Sequence, residues 1–155
     1  MKKIRIEQEE IKVEQFEYIK TEAPNILISG GLGPCIAIGA IYENKGYLAH
    51  YPYYLSGEKL INLLLDDLDK DVKDIKKLRI FIAGAGIDTI DYLDIKEDIE
   101  KNKKNTLEKI ANSKYKDANI ETRWARGNST QELILDLYKK EAIYEEEFDE
   151  DEENY

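Results

Sequence analysis

The sequence predicts an α+β fold: a layered α/β sandwich with a central, mostly antiparallel β-sheet and two main helices. Three observations point there. Strand patterning, alternation over 3–19 and then short apolar runs at 26–29 and 35–42, fills the first fifty positions, and a further strand follows from Ala118. Helical spacing of apolar residues is confined to two segments, 57–74 and 94–111. The strands come in runs rather than alternating one by one with helices, which argues against a doubly wound sheet. At 155 residues the chain is expected to be one domain over 1–144. An acidic stretch, EEEFDEDEENY at 145–155, is too poor in apolar groups to fold and reads as a disordered tail.

Each element has its own signal. Ile4 and Ile6, Ile11 and Val13, then Phe16 and Tyr18 alternate with polar residues, and the phase slips twice, which fits two strands with a bend. Thr21-Glu22-Ala23-Pro24-Asn25 is a turn. The run Ile26–Ser29 enters a glycine-rich bend, Gly30-Gly31-Leu32-Gly33-Pro34. From Cys35 to Tyr42 the chain is almost continuously apolar, as a strand buried on both faces should be. Glu43-Asn44-Lys45-Gly46 turns it back as a hairpin ending at His50.

An aromatic loop, Tyr51-Pro52-Tyr53-Tyr54, leads to Ser56, the expected N-cap of the first helix. Leu60, Ile61, Leu64, Leu65, Leu68, Val72 and Ile75 form its apolar stripe. Leu78–Ala83 is a strand running into Gly84-Ala85-Gly86. Asp94 with Glu97 makes a capping-box pattern for a second, surface helix carrying Ile95, Ile99, Leu107, Ile110 and Ala111. Ala118–Trp124 is a strand and Arg126-Gly127-Asn128 a turn. The segment 129–144 admits two readings, a helix capped by Ser129 and Glu132 or a hairpin turning at Lys139-Lys140-Glu141.

Composition narrows the function. A formal net charge of −10 argues against nucleic acid or an anionic membrane as the main partner. No apolar run approaches the length of a membrane span, and the charged first fifteen residues contain no signal-peptide segment, so cytoplasmic residence is expected. One cysteine and one histidine permit neither an internal disulfide nor a Cys-based metal site, and no metal or cofactor is expected. Oligomeric state is not indicated by the residues.

Those two residues, Cys35 and His50, bracket the central hairpin. A cysteine attacks a carbonyl as its thiolate, and an adjacent imidazole can take the proton. The backbone N–H groups of Gly31, Gly33 and Cys35 are candidates for an oxyanion hole, while Pro34 has no N–H to offer. Ser29 is the leading candidate to orient the imidazole, with Tyr51 and Asn44 behind it. Tyr51 and Tyr53 are candidates to wall a substrate pocket beside His50, or else simply cover the core edge. The plainer reading of Cys35 is a small buried hydrophobe, and of His50 a satisfied strand-end polar group. A phosphate-binding reading of Gly31-x-Gly33 and Gly84-x-Gly86 lacks the third glycine, and Gly33 leads into a strand instead of a helix.

The segment Ile28-Ser29-Gly30-Gly31-Leu32-Gly33-Pro34-Cys35, its apolar strand, and Gly46-Tyr47-Leu48-Ala49-His50 together resemble the chemoreceptor glutamine deamidase (CheD) family and the wider superfamily that includes bacterial toxin deamidases. The run Ile80–Ala85 is similar to that family's Phe-Gly-Gly-Ala region, and Gly127-Asn128 to its late turn, which favours the hairpin for 132–144. The resemblance implies a CheD-like layered sandwich, with Cys35 as nucleophile, His50 as general base and Ser29 where the family has a histidine-orienting threonine. It implies hydrolysis of a protein glutamine side-chain amide through a thioester, on a partner protein with an exposed glutamine. Pro34 stands where the family has serine, and Tyr51-Pro52-Tyr53-Tyr54 is more aromatic than the family's segment. The alternative from another class is a non-catalytic module of this fold that binds a partner protein.

Overall fold

The computed structural model describes residues 6–86, 93–126 and 129–148. Among them the chain forms strands β1 (Glu10–Lys12), β2 (Glu17–Glu22), β3 (Ile26–Leu32), β4 (Ile36–Tyr42) and β5 (Lys45–Tyr51), then helix α1 (Glu58–Asp71). A 3-10 turn, Ile75–Lys77, precedes β6 (Arg79–Gly84), helix α2 (Leu93–Ala111), β7 (Asn119–Trp124), β8 (Ser129–Asp136) and β9 (Glu141–Phe148). The strands make a five-stranded sheet, β2-β5-β4-β6-β7, and a four-stranded sheet, β1-β3-β8-β9. Each is mixed, with one parallel pair, β6–β7 in the first and β1–β3 in the second. This is the α+β layered sandwich that the runs of strands predict.

The period-two pattern of β4 and β5 builds two cores at once. Ile36, Ile38, Ala40 and Tyr42 of β4, with Tyr47, Ala49 and Tyr51 of β5, pack against Ile61, Leu64 and Leu68 of α1 and Ile99 and Ile110 of α2. The intervening Ala37, Ile41 and Leu48 face Leu27, Leu133 and Leu135 of the four-stranded sheet. Hence β4 is buried along its whole length, and its sequence has no polar face. A Cβ at Gly39 would stand 3.0 Å from Leu135 Cδ1, so the absent side chain lets the two sheets close on each other.

Tyrosines fasten α1 to the sheet and to the segment after α2. The Tyr115 and Tyr47 hydroxyls donate to Asp69 and Asp71 at 2.6 and 2.8 Å, and that of Tyr18 donates to Asp67. The Tyr42 hydroxyl accepts the N–H groups of Lys73 and Asp74 just beyond the helix end. Burial pushes the Asp71 carboxyl up, but Lys20 at 2.7 Å, Tyr47 and Lys45 together hold it below the usual carboxylate range.

Several expected boundaries shift. The N-cap of α1 is Gly57 in the left-handed region, and Ser56 accepts only a long bond from the Glu58 N–H at 3.3 Å. A Cβ on Gly57 would lie 2.5 Å from the Tyr51 ring, so close packing there excludes a capping side chain. Helix α2 already includes Leu93, which places Asp94 inside the first turn instead of at the cap. Segment 129–144 is a hairpin, not a helix, because alternate residues Gln131, Leu133 and Leu135 must reach the inter-sheet core. β9 continues to Phe148, so residues 145–148 of the expected disordered tail are paired with β8. Main-chain pairing with β8 does not require apolar side chains, which is why the acidic composition concealed it. Ile4, the turn residues Gly127 and Asn128, and positions 149–155 lie outside the described residues.

Candidate functional site

The hairpin register places the two singular residues. Ala37 is directly opposite His50, and Ile36 opposite Tyr51. Cys35, immediately before β4, shares the face of Ala37 and is therefore the diagonal neighbour of His50, a separation of roughly 7–8 Å between such positions. Both side chains lie in the inter-sheet layer, Cys35 5% and His50 3% exposed. Ser29, on the inward face of β3, is fully buried in the same layer.

His50 is held by a group far away in sequence. Its Nδ1 lies 3.1 Å from the carbonyl oxygen of Val13. A carbonyl only accepts, so Nδ1 carries the proton and Nε2 presents its lone pair. Among the described residues Nε2 has no hydrogen-bond partner, and neither has Ser29 Oγ. The orienting role expected of Ser29 is thus filled by a main-chain oxygen. Val13 comes into place because its own N–H donates to Ile28 O at 2.7 Å, continuing the β1–β3 pairing, before the chain crosses to the other sheet. Asn44, at the opposite end of the hairpin, is excluded from any such role by the register.

Electrostatics leave both groups neutral at rest. Burial pushes the Cys35 thiol above its ordinary value. It also lowers His50, against the Val13 carbonyl and the charges of Glu14 and Glu17, which favour the imidazolium. Thiol and imidazole thus rest neutral on one face of the hairpin, not as a preformed ion pair.

The turn carrying Cys35 is held from outside. The Ala85 N–H donates to Cys35 O at 2.8 Å and the Gly86 N–H to Gly33 O at 2.7 Å, so the two glycine-rich turns lock together. A Cβ on Gly84, whose φ is +99°, would sit 2.0 Å from Cys35 O. The glycines whose spacing only partly matched a phosphate cradle serve this close approach. Of the oxyanion candidates, the Gly33 N–H is turned onto Gly31 O at 3.0 Å in a three-residue turn, and Gly31 lies exposed at the β3 bulge with φ +69°. The Cys35 N–H is a further candidate donor at the turn, and Pro34 has none.

The tyrosines go elsewhere. Tyr51 follows His50 in a strand and so points to the opposite face, where it is buried among the helices. The Thr106 hydroxyl donates to Asn102 O, and the Tyr51 hydroxyl in turn donates to Thr106 at 2.8 Å. Tyr53 packs on the same helical side, edge-on to Tyr54. Neither tyrosine lines a pocket with His50, and strand periodicity alone would have separated Tyr51 from it. Residues that sequence reasoning missed are Val13 and Gln131, the latter buried on β8 and bonded to Gly84. A glutamine at an inward position of an alternating strand was the available signal.

Among the described residues no three or more His, Cys, Asp or Glu side chains cluster as a metal site, and no helix is long and apolar enough to cross a membrane. Searches against protein-family models and curated protein sequences find no match to this chain.

Proposed function

We propose that the protein is a cysteine-dependent amidohydrolase, a protein-glutamine deamidase related to the CheD-like enzymes its central hairpin resembles. The observation that carries this reading is the geometry of His50: Nδ1–H fixed on Val13 O, Nε2 unpartnered among the described residues, and Cys35 on the same face. A base with one nitrogen anchored and the other free is what deprotonation of a neighbouring thiol requires.

In this reading Nε2 takes the thiol proton as Cys35 Sγ attacks the amide carbon. The Cys35 N–H stabilises the developing oxyanion. The C–N bond breaks, and the His50 proton leaves with ammonia. Water, deprotonated by Nε2, then attacks the thioester, and glutamate and the thiol are released. A recessed thiol suits a slender side-chain amide better than a main-chain amide, which supports glutamine as the substrate group. The substrate is then a protein with an exposed glutamine.

The raised thiol and the burial of Cys35 favour a second reading, a non-catalytic partner-binding module of the same fold. One experiment separates them. A library of glutamine-containing peptides is incubated with wild type, Cys35→Ser and His50→Ala, and ammonia and conversion of Gln to Glu are followed by mass spectrometry. The deamidase reading expects conversion by wild type alone. Equal conversion by Cys35→Ser would sink it, and conversion by none would favour the binding module.

A further inference from the structure

Gln131 is the polar residue that ties the nucleophile's turn to both sheets. It belongs to β8 of the four-stranded sheet and is fully buried. Its Oε1 accepts the Gly84 N–H at 2.7 Å, and its Nε2 donates to Arg123 O at 3.2 Å. One side chain therefore reaches across the sandwich to the ends of β6 and β7. Its own main chain pairs with Leu32, at the register shift of β3 that begins the bend to Cys35.

Gly84 is where this clamp meets the site. It lies directly under Cys35 O, and the next two N–H groups, of Ala85 and Gly86, hold Cys35 O and Gly33 O. The peptide unit after Cys35 and the one before Pro34 are thus fixed to a turn whose first N–H is fixed by Gln131. His50 is anchored independently, through Val13.

From this geometry we infer that Gln131 is a positioning residue: through Gly84 it sets where the Cys35 thiol stands relative to His50. The inference rests on the Cys–His reading above. A buried amide that makes one bond as acceptor and one as donor cannot be replaced by an apolar residue without freeing the Gly84 N–H, and with it the 84–86 turn.

The test is a double-mutant cycle on alkylation of Cys35 by iodoacetamide, followed by intact mass across neutral pH. The chain has one cysteine, so the label reports this site alone. Rates are compared for wild type, His50→Ala, Gln131→Met and the double variant, with a melting curve for each. Methionine keeps the length and flexibility of glutamine but makes neither bond. In wild type, His50→Ala should slow labelling by about tenfold or more. In the Gln131→Met background the same change should alter it by less than about twofold. If Gln131→Met does not fold, Gln131→Asn replaces it, since a side chain shorter by one carbon cannot span Gly84 and Arg123 together.

Equal His50 dependence in both backgrounds, whatever the drop in melting temperature, would reduce Gln131 to a stabilising residue and overturn the inference. No His50 dependence in wild type would instead overturn the Cys–His pair itself, and the positioning role with it.

Discussion

Gly84→Ala tests whether the close approach of two turns holds the site together. Two penalties can be worked out. A non-glycine residue at φ +99° is strained by about 1–3 kcal/mol. The new methyl would also stand 2.0 Å from Cys35 O and 3.1 Å from Cys35 C, so main chain, not a flexible side chain, has to move. Moving it breaks the Ala85 N–H bond to Cys35 O, and a buried group left unpaired costs about 1–3 kcal/mol. The sum, about 2–6 kcal/mol, is a large fraction of the roughly 5–15 kcal/mol that stabilises a typical domain. Urea unfolding followed by circular dichroism measures it directly. Gly31→Ala is the control, because Gly31 has φ +69° but nothing within 4 Å of its missing Cβ. It should show the strain alone, about 1 kcal/mol. Equal losses for the two variants would refute the steric reasoning, and a loss below about 1 kcal/mol at Gly84 would refute the description of the turn.

Two pH predictions follow from the buried titratable groups. Asp71 is held below its unfolded value, so its contribution is complete above about pH 4 and disappears as pH falls through the folded value. Tyr47→Phe, which removes the 2.8 Å bond to Asp71, should cost about 1.5–3 kcal/mol near neutrality and distinctly less at about pH 3; an unchanged gap would contradict the linkage. His50 is lowered by burial, so the unfolded chain takes up the proton first, and wild-type stability should decline as pH drops below about 6.5. His50→Gln should lack that decline. Parallel denaturation midpoints for the two proteins between about pH 7.5 and about pH 5.5 would show that the ring is not held neutral.

Much of the site is legible in the chain. A continuous apolar run after Cys35, a short turn, and a return strand to His50 suffice to bring those residues onto one face of adjacent strands. The inward placement of Ser29 follows from the alternation Leu27, Ser29 in β3. The same period should have removed Tyr51 from the site, since neighbours in a strand face opposite ways. The partner of His50 was not legible, because Val13 is 37 residues away and contributes only a main-chain oxygen, which any residue possesses. Gln131 was hidden for a related reason: its partners Gly84 and Arg123 also offer main-chain atoms, from another sheet. The tyrosines that bond Asp67, Asp69 and Asp71 are similarly spread over β2, β5 and the segment after α2.

The sequence by itself determined the elements and the faces of their residues, because period and turn chemistry act between near neighbours in the chain. It thereby determined that the thiol and the imidazole would lie diagonally across one hairpin. Only the stacking of the four-stranded sheet on the five-stranded one decided which imidazole nitrogen is anchored, which turn supports Cys35, and that both groups rest neutral. Anchoring depends on main-chain atoms common to every residue, and neutrality depends on the depth of burial. Both are properties of the packed layers and not of any local stretch of sequence.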